Sequence, residues 1–220
     1  MSLKPSHGHP SLWFPQVLLL GLILASGACT AATPTTTPTA TRAPLPTLLP
    51  PFPIITIEDF EAGLGQWFPE GDVPMDPNNP GRLVAWSVLV SSSQAFEGDG
   101  SAEFFLDGRQ ADGTIWIARP MRVNTEEPVK VALTFQLWSE SESFNTLARV
   151  AAYAGARKPA AEEELDTSQV ANLVTGWREY NYAFSVLPHE GSLWVAVGIT
   201  VAWETEMTYY IDDIRVEVTR

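Results

Sequence analysis

The residues with the most chemical potential are carboxylates and aromatic rings. In the segment Tyr209-Tyr210-Ile211-Asp212-Asp213-Ile214-Arg215-Val216-Glu217-Val218, alternation places Asp212 in one phase with Tyr210, Ile214, Val216 and Val218. A carboxylate turned inward must find N–H donors or a cation, because unpaired burial costs several kcal/mol. More acid lies near the start of the same region, at Glu58, Asp59 and Glu61, beside Gly63 and Gly65. If the first and last strands lie side by side, these oxygens suit Ca²⁺, which accepts six to eight ligands in irregular geometry. The alternative is that Asp212 accepts backbone N–H bonds from a loop and holds no metal.

A second set is aromatic and polar. Trp138, Trp194 and Tyr153 fall on strand faces otherwise occupied by small or polar residues. Sugar rings stack on such side chains through their C–H faces, and Gln136, Arg149, Glu179 and Asn181 are placed to take hydroxyls. The expectation is one ligand groove formed by these seven residues. The plainer alternative puts the small residues under a loop and Trp194 over the core.

Catalytic constellations are scarce. The region from Ile54 onward has one histidine, His189, and no cysteine, which leaves no His-rich zinc site and no Cys–His nucleophile. No Gly-x-Ser-x-Gly elbow is present, and Gly63-Leu64-Gly65 is a turn, not a phosphate loop. Glu204 with Glu206 and the run Glu162–Glu164 are the only carboxylate pairs that invite a glycosidase reading. The expectation is a non-enzyme.

These side chains must be positioned by strands. Apolar residues alternate over Ile54–Phe60, Leu83–Val90, Ser101–Leu106, Thr114–Arg119, Val129–Trp138, Leu147–Ala154, Arg178–Val186, Leu193–Trp203 and Thr208–Val218. Only Pro159–Glu164 reads as helical. Nine strands punctuated by Gly, Pro, Asn and Asp predict an all-β fold, a two-sheet antiparallel β-sandwich or jelly roll over residues 54–220. All 26 Asp and Glu lie at or beyond Glu58 against 11 Lys and Arg, a formal −15. That field repels phosphate backbones, so no nucleic acid is expected as a partner.

The chain before Ile54 has a different character. Lys4 precedes the apolar run Val17–Ala25, too short to span a bilayer and suited to the core of a signal peptide over residues 1–28. Leu24-Ala25-Ser26-Gly27-Ala28-Cys29 resembles the lipobox of bacterial lipoproteins, with Ser26 where that pattern usually has Leu. The resemblance implies acylation of Cys29 and a membrane partner through that lipid. Ser26-Gly27-Ala28 equally fits ordinary cleavage. Residues 29–53 are rich in Thr and Pro and free of acid, the composition of an extended, disordered tether. Both readings place the domain outside the cell, at the membrane's outer face or secreted.

Ile57-Glu58-Asp59-Phe60-Glu61-Ala62-Gly63 with Trp67, and Tyr209 to Ile214 at the end, resemble the galactose-binding-like jelly rolls, which include many carbohydrate-binding modules. Phe96-Glu97-Gly98-Asp99-Gly100-Ser101-Ala102 and Gly176-Trp177 with Tyr180 are similar to the family's internal motifs. The resemblance implies a structural Ca²⁺ held by Glu61 and Asp212, with Asp59 nearby, and a carbohydrate ligand. A cell-envelope structural or protein-interaction domain, and a small glycosidase, are the alternatives.

Overall fold

The computed structural model describes residues 51–143 and 145–220. The signal segment 1–28, Cys29 and most of the 29–53 tether lie outside the described residues. From Ile54 the chain forms eleven strands: β1 (Ile54–Glu58), β2 (Phe68–Asp72), β3 (Trp86–Ser91), β4 (Ser101–Gly108), β5 (Thr114–Arg122), β6 (Val129–Ser139), β7 (Ala148–Gly155), β8 (Asp166–Val170), β9 (Gly176–Val186), β10 (Ser192–Val201) and β11 (Thr205–Thr219). They pair antiparallel into two sheets, a jelly-roll β-sandwich. Sheet A runs β3-β4-β11-β6-β9, with β1 also paired to β11; sheet B runs β2-β5-β10-β7-β8.

The long β11 closes sheet A. Its first half pairs with β4 (Thr205↔Gly108 to Ile211↔Ala102) and its second half with β1 (Ile214↔Glu58 to Val218↔Ile54). The first and last strands are thus neighbours, as expected. The core lies between the sheets, where alternate residues of β6 (Val129, Val131, Leu133, Phe135, Leu137) meet those of β10 (Leu193, Val195, Val197, Ile199).

Two strands were not foreseen. β2 (FPEGD) and β8 (DTSQV) are the two edges of sheet B, each paired to a single neighbour. Their backbone bonds come from β5 and β7, so their low intrinsic strand preference is overridden by tertiary pairing. The expected helix at Pro159–Glu164 reduces to a 3₁₀ turn at Glu162–Glu164.

A bulge corrects the phase of the last strand. Asp213 adopts φ 47° and the β11–β6 register shifts between Asp212 and Arg215. One extra residue reverses the alternation. Ile214, Val216 and Val218 face the core as expected, but before the bulge the core residues are Met207, Tyr209 and Ile211. Tyr210 and Asp212 therefore point to the outer face of sheet A. Asp212 is nonetheless 1% exposed, so something covers it.

Candidate functional site

The cover is the β3–β4 loop. Asp212 Oδ2 accepts N–H bonds from Phe96 (2.8 Å) and Glu97 (3.3 Å), and its Oδ1 accepts from Asp213 (2.8 Å). From the other end of the chain, Glu61 Oε1 accepts from Asp99 (2.9 Å) and Gly100 (2.8 Å). Gly98, at φ 66°, makes this possible: a Cβ there would lie 2.4 Å from Glu61 Oε1. Asp59 Oδ1 caps its own turn by accepting from Glu61 N–H at 3.2 Å. Burial raises the Asp212 pKa above the ordinary carboxylate range, and the N–H bonds oppose that rise.

These contacts bear on the calcium expectation. Glu61, three residues past the end of β1, and Asp212 of β11 both bond the β3–β4 loop. Both Asp212 oxygens and Oε1 of Glu61 already accept N–H groups, whose positive ends would face a cation. Among the described residues no three His, Cys, Asp or Glu side chains gather as a metal cage. The backbone N–H groups thus answer three of the four oxygens of Asp212 and Glu61 without a metal.

Anchored this way, the loop sets Phe96 on the outer face of sheet A, where its ring meets Trp177 edge-on at 5.7 Å and 67°. Trp177 of β9 pairs in register with Trp138 of β6, and Trp138 with Tyr210 of β11. Trp138 and Tyr210 also meet edge-on, at 5.4 Å and 80°. The result is a row of rings across three strands, in which Trp138 and Trp177 are half-buried and Tyr210 is buried. The next positions along the strands are polar. Gln136 pairs with Glu179 and Thr134 with Asn181. Thr134 Oγ1 donates to Asn181 Oδ1 (2.8 Å), and Asn181 Nδ2 donates to Glu179 Oε1 (2.9 Å). An aromatic platform thus adjoins a short polar ladder with spare donors and acceptors.

The single seven-residue groove does not form. Gln136, Trp138, Glu179 and Asn181 share the outer face of sheet A. Arg149, Tyr153 and Trp194 lie on the outer face of sheet B, on the opposite side of the core, because β7 and β10 belong to the other sheet. Nor is that second face open. Residues 156–165 cross it from β7 toward the β2 edge. Tyr153 Oη donates to the Arg157 carbonyl (2.9 Å), Lys158 pairs with Glu70, Thr114 Oγ1 bonds Glu162, and Glu162 N–H donates to Asp72 (3.1 Å). Beneath this strap Leu165 packs on Trp116, Ala118, Ala151 and Ala196, with Tyr153 and Trp194 at the rim. The small residues accommodate a loop of the same chain.

Trp177, Tyr210 and Phe96 are the site members that strand phasing missed. Because β9 begins at Gly176, the two-residue repeat puts Trp177 on the face of Glu179 and Asn181. Tyr210 was hidden by the bulge, and Phe96 belongs to a loop. His189 sits in a turn closed by reciprocal backbone bonds with Ser192 (2.9 and 3.0 Å).

No protein-family model matches the chain, and no curated protein matches it. Solved structures with a similar fold include carbohydrate-binding modules of the beta-sandwich superfamily described as promiscuous in specificity: 19% identity, 71% of this chain and 59% of that one, TM-score 0.44. They also include the CBM22-1 xylan-binding domain of Paenibacillus barcinonensis Xyn10C, at 15% identity, covering 76% and 96%, TM-score 0.45. The K1 cleaved adhesin domain of Lys-gingipain from Porphyromonas gingivalis is a third, at 16% identity, covering 76% and 98%, TM-score 0.44. The chain spans less than two thirds of the first of these. At such identities and TM-scores no ligand and no residue role transfers to this chain.

Proposed function

We propose that this domain is a non-catalytic module that binds extracellular carbohydrate on the outer face of sheet A. The carrying observation is the in-register pair Trp138–Trp177, two large rings only partly covered beside a polar ladder. Rings in that position lose solvent-exposed apolar surface when a pyranose face covers them, and Gln136, Glu179 and Asn181 lie close enough to bond its hydroxyls. The surface negative charge leaves neutral sugars unopposed. Affinity electrophoresis in soluble polysaccharides tests it. Trp138→Ala and Trp177→Ala are each expected to weaken binding about tenfold, some 1.4 kcal/mol, while Trp194→Ala leaves it unchanged. Equal retardation of all three variants, or no retardation of the wild-type chain by any polymer, removes the site.

A second reading, a cell-envelope contact domain without sugar affinity, draws on β1. Its outward Ile55 and Ile57 are 46% and 57% exposed, more apolar surface than a strand needs in water. It gains if no polysaccharide binds.

The same reading places the module outside the cell. Residues 1–28 serve as the export signal, Cys29 carries the lipid, and residues 29–53 hold the domain away from the membrane. Mass spectrometry of the mature chain is expected to find residue 29 at the N-terminus with acyl chains attached. An unmodified Cys29, or a different first residue, removes the lipid anchor from the reading.

A further inference from the structure

A different part of the molecule carries a second inference. Alternation along β5 turns Ile115, Ile117 and Met121 into the core, and Arg119 falls in the same phase. Its side chain is only 12% exposed. A guanidinium so placed needs its five donors matched, and they are not. The nearest carboxylate, Glu58 of β1, is 3.7 Å away, beyond hydrogen-bonding reach. Gln66 Oε1 accepts from Nη2 at a long 3.3 Å, and Nε is buried with no partner. Trp67 lies under the guanidinium at 5.5 Å from its ring centre, which fixes the plane of the fork. Burial pulls the Arg119 pKa down and Glu58 opposes this, yet a guanidinium keeps its charge throughout the physiological range.

This underused cation lines an open cleft of about 430 Å³ between β1 and β5, the size of a small-ligand pocket. Arg122 adds a second positive charge to its wall, in a domain otherwise dominated by acid. Thr56, Gln66 and Ser192 offer hydroxyl and amide groups, and Met121 supplies an apolar surface. A planar fork with free donors matches a carboxylate bidentately, as a lone ammonium does not. The hydroxyl-bearing wall and apolar surface match the two sides of a sugar ring. The geometry points to a second binding site in this cleft that takes a carboxylate-bearing sugar the size of one hexuronate ring. It is independent of the aromatic row, from which it differs in strands, in charge and in ligand class.

Titration calorimetry on the full chain with glucuronate, glucose and acetate tests the assignment. Glucuronate is expected to bind at least tenfold more tightly than glucose, which lacks the carboxylate, and more tightly than acetate, which lacks the ring. Arg119→Lys keeps the charge but removes the fork and Nε, and is expected to weaken glucuronate at least tenfold. Arg122→Ala and Gln66→Ala, at less buried positions, are expected to weaken it about threefold, and they remain informative if Arg119→Lys does not fold. Trp177→Ala should leave glucuronate binding intact, and Arg119→Lys should leave polysaccharide retardation intact, so the two sites stand or fall separately. Equal affinity for glucuronate and glucose, acetate matching glucuronate, no binding of glucuronate, or full affinity in Arg122→Ala and Gln66→Ala overturns it.

Discussion

Gly198→Ala is expected to destabilise the domain by about 3 kcal/mol, the upper part of the usual range for overpacking a filled site, which in a domain of this size lowers Tm by about 6–12 °C. Gly198 sits in β10 opposite Trp116 of β5, on the outer face of sheet B. A Cβ built there would lie 2.1 Å from the Ile115 carbonyl oxygen and 2.6 Å from Trp116 Cα. These are backbone atoms of a central strand, paired on both sides, so they cannot withdraw without breaking the β5–β10 ladder. Substitution therefore separates strands or distorts both. The strap above the site gives no relief, since Leu165 and Trp116 fill the space. Thermal unfolding by circular dichroism reads the shift. A Tm within 2 °C of wild type would mean that the strands can part cheaply at this point.

Asp212→Ala is expected to cost a similar amount, about 3 kcal/mol, for a different reason. The carboxylate answers the backbone N–H groups of Phe96, Glu97 and Asp213 under a covering loop. Orphaning buried donors costs about 1–3 kcal/mol each, and relaxation of the loop toward water recovers part of this. The loss should therefore come with release of Phe96 from Trp177, so polysaccharide affinity falls along with stability. Because backbone N–H donors already satisfy Asp212 and Oε1 of Glu61, EGTA is expected to leave the wild-type Tm unchanged. A Tm that drops in EGTA and returns with Ca²⁺ would reinstate the metal. The sign of the pH dependence follows from burial, which raises the Asp212 pKa in the folded state. The folded chain then holds that proton more tightly than the unfolded chain does. The stability contributed this way is fully present below the ordinary carboxylate pKa and fades as pH rises through the elevated one. Relative to Asp212→Asn, the wild-type chain should gain stability as pH falls from 7 toward 4. A gap that is flat with pH, or that narrows, would show that the N–H bonds outweigh burial.

The core and outer faces that follow from the sequence belong to strands whose pattern is local. Val129–Leu137 and Leu193–Ile199 alternate cleanly, so their core faces follow from the two-residue repeat, and Gln136 and Trp138 necessarily point away from that core. The same repeat put Glu179 and Asn181 opposite Tyr180 and Tyr182. Gln136, Trp138, Glu179 and Asn181 therefore share one sheet face in the folded chain.

The rest depended on contacts between distant segments. Alternation says that Trp194 and Trp138 each turn away from the core, but not that β10 and β6 belong to different sheets. That is decided by pairing with β5 and β7 on one side and β9 and β11 on the other. The bulge at Asp213 reverses the phase of Tyr210 and Asp212, and nothing in Tyr-Tyr-Ile-Asp-Asp-Ile marks it, since neither aspartate is a glycine. Whether small residues such as Ala151, Ala196 and Gly198 face a ligand or a strap depends on where residues 156–165 run.

The carboxylates noted at the outset illustrate the division most directly. Their types, and the side-by-side placing of the first and last strands, predict acidic oxygens gathered around Ca²⁺, with Glu61 and Asp212 as the ligands that the family resemblance implies. What they meet there was decided by the Phe96–Gly100 backbone, which presents N–H groups to them. A side chain's charge and phase are local properties, whereas the partner that satisfies a buried charge is supplied by whichever distant segment packs over it.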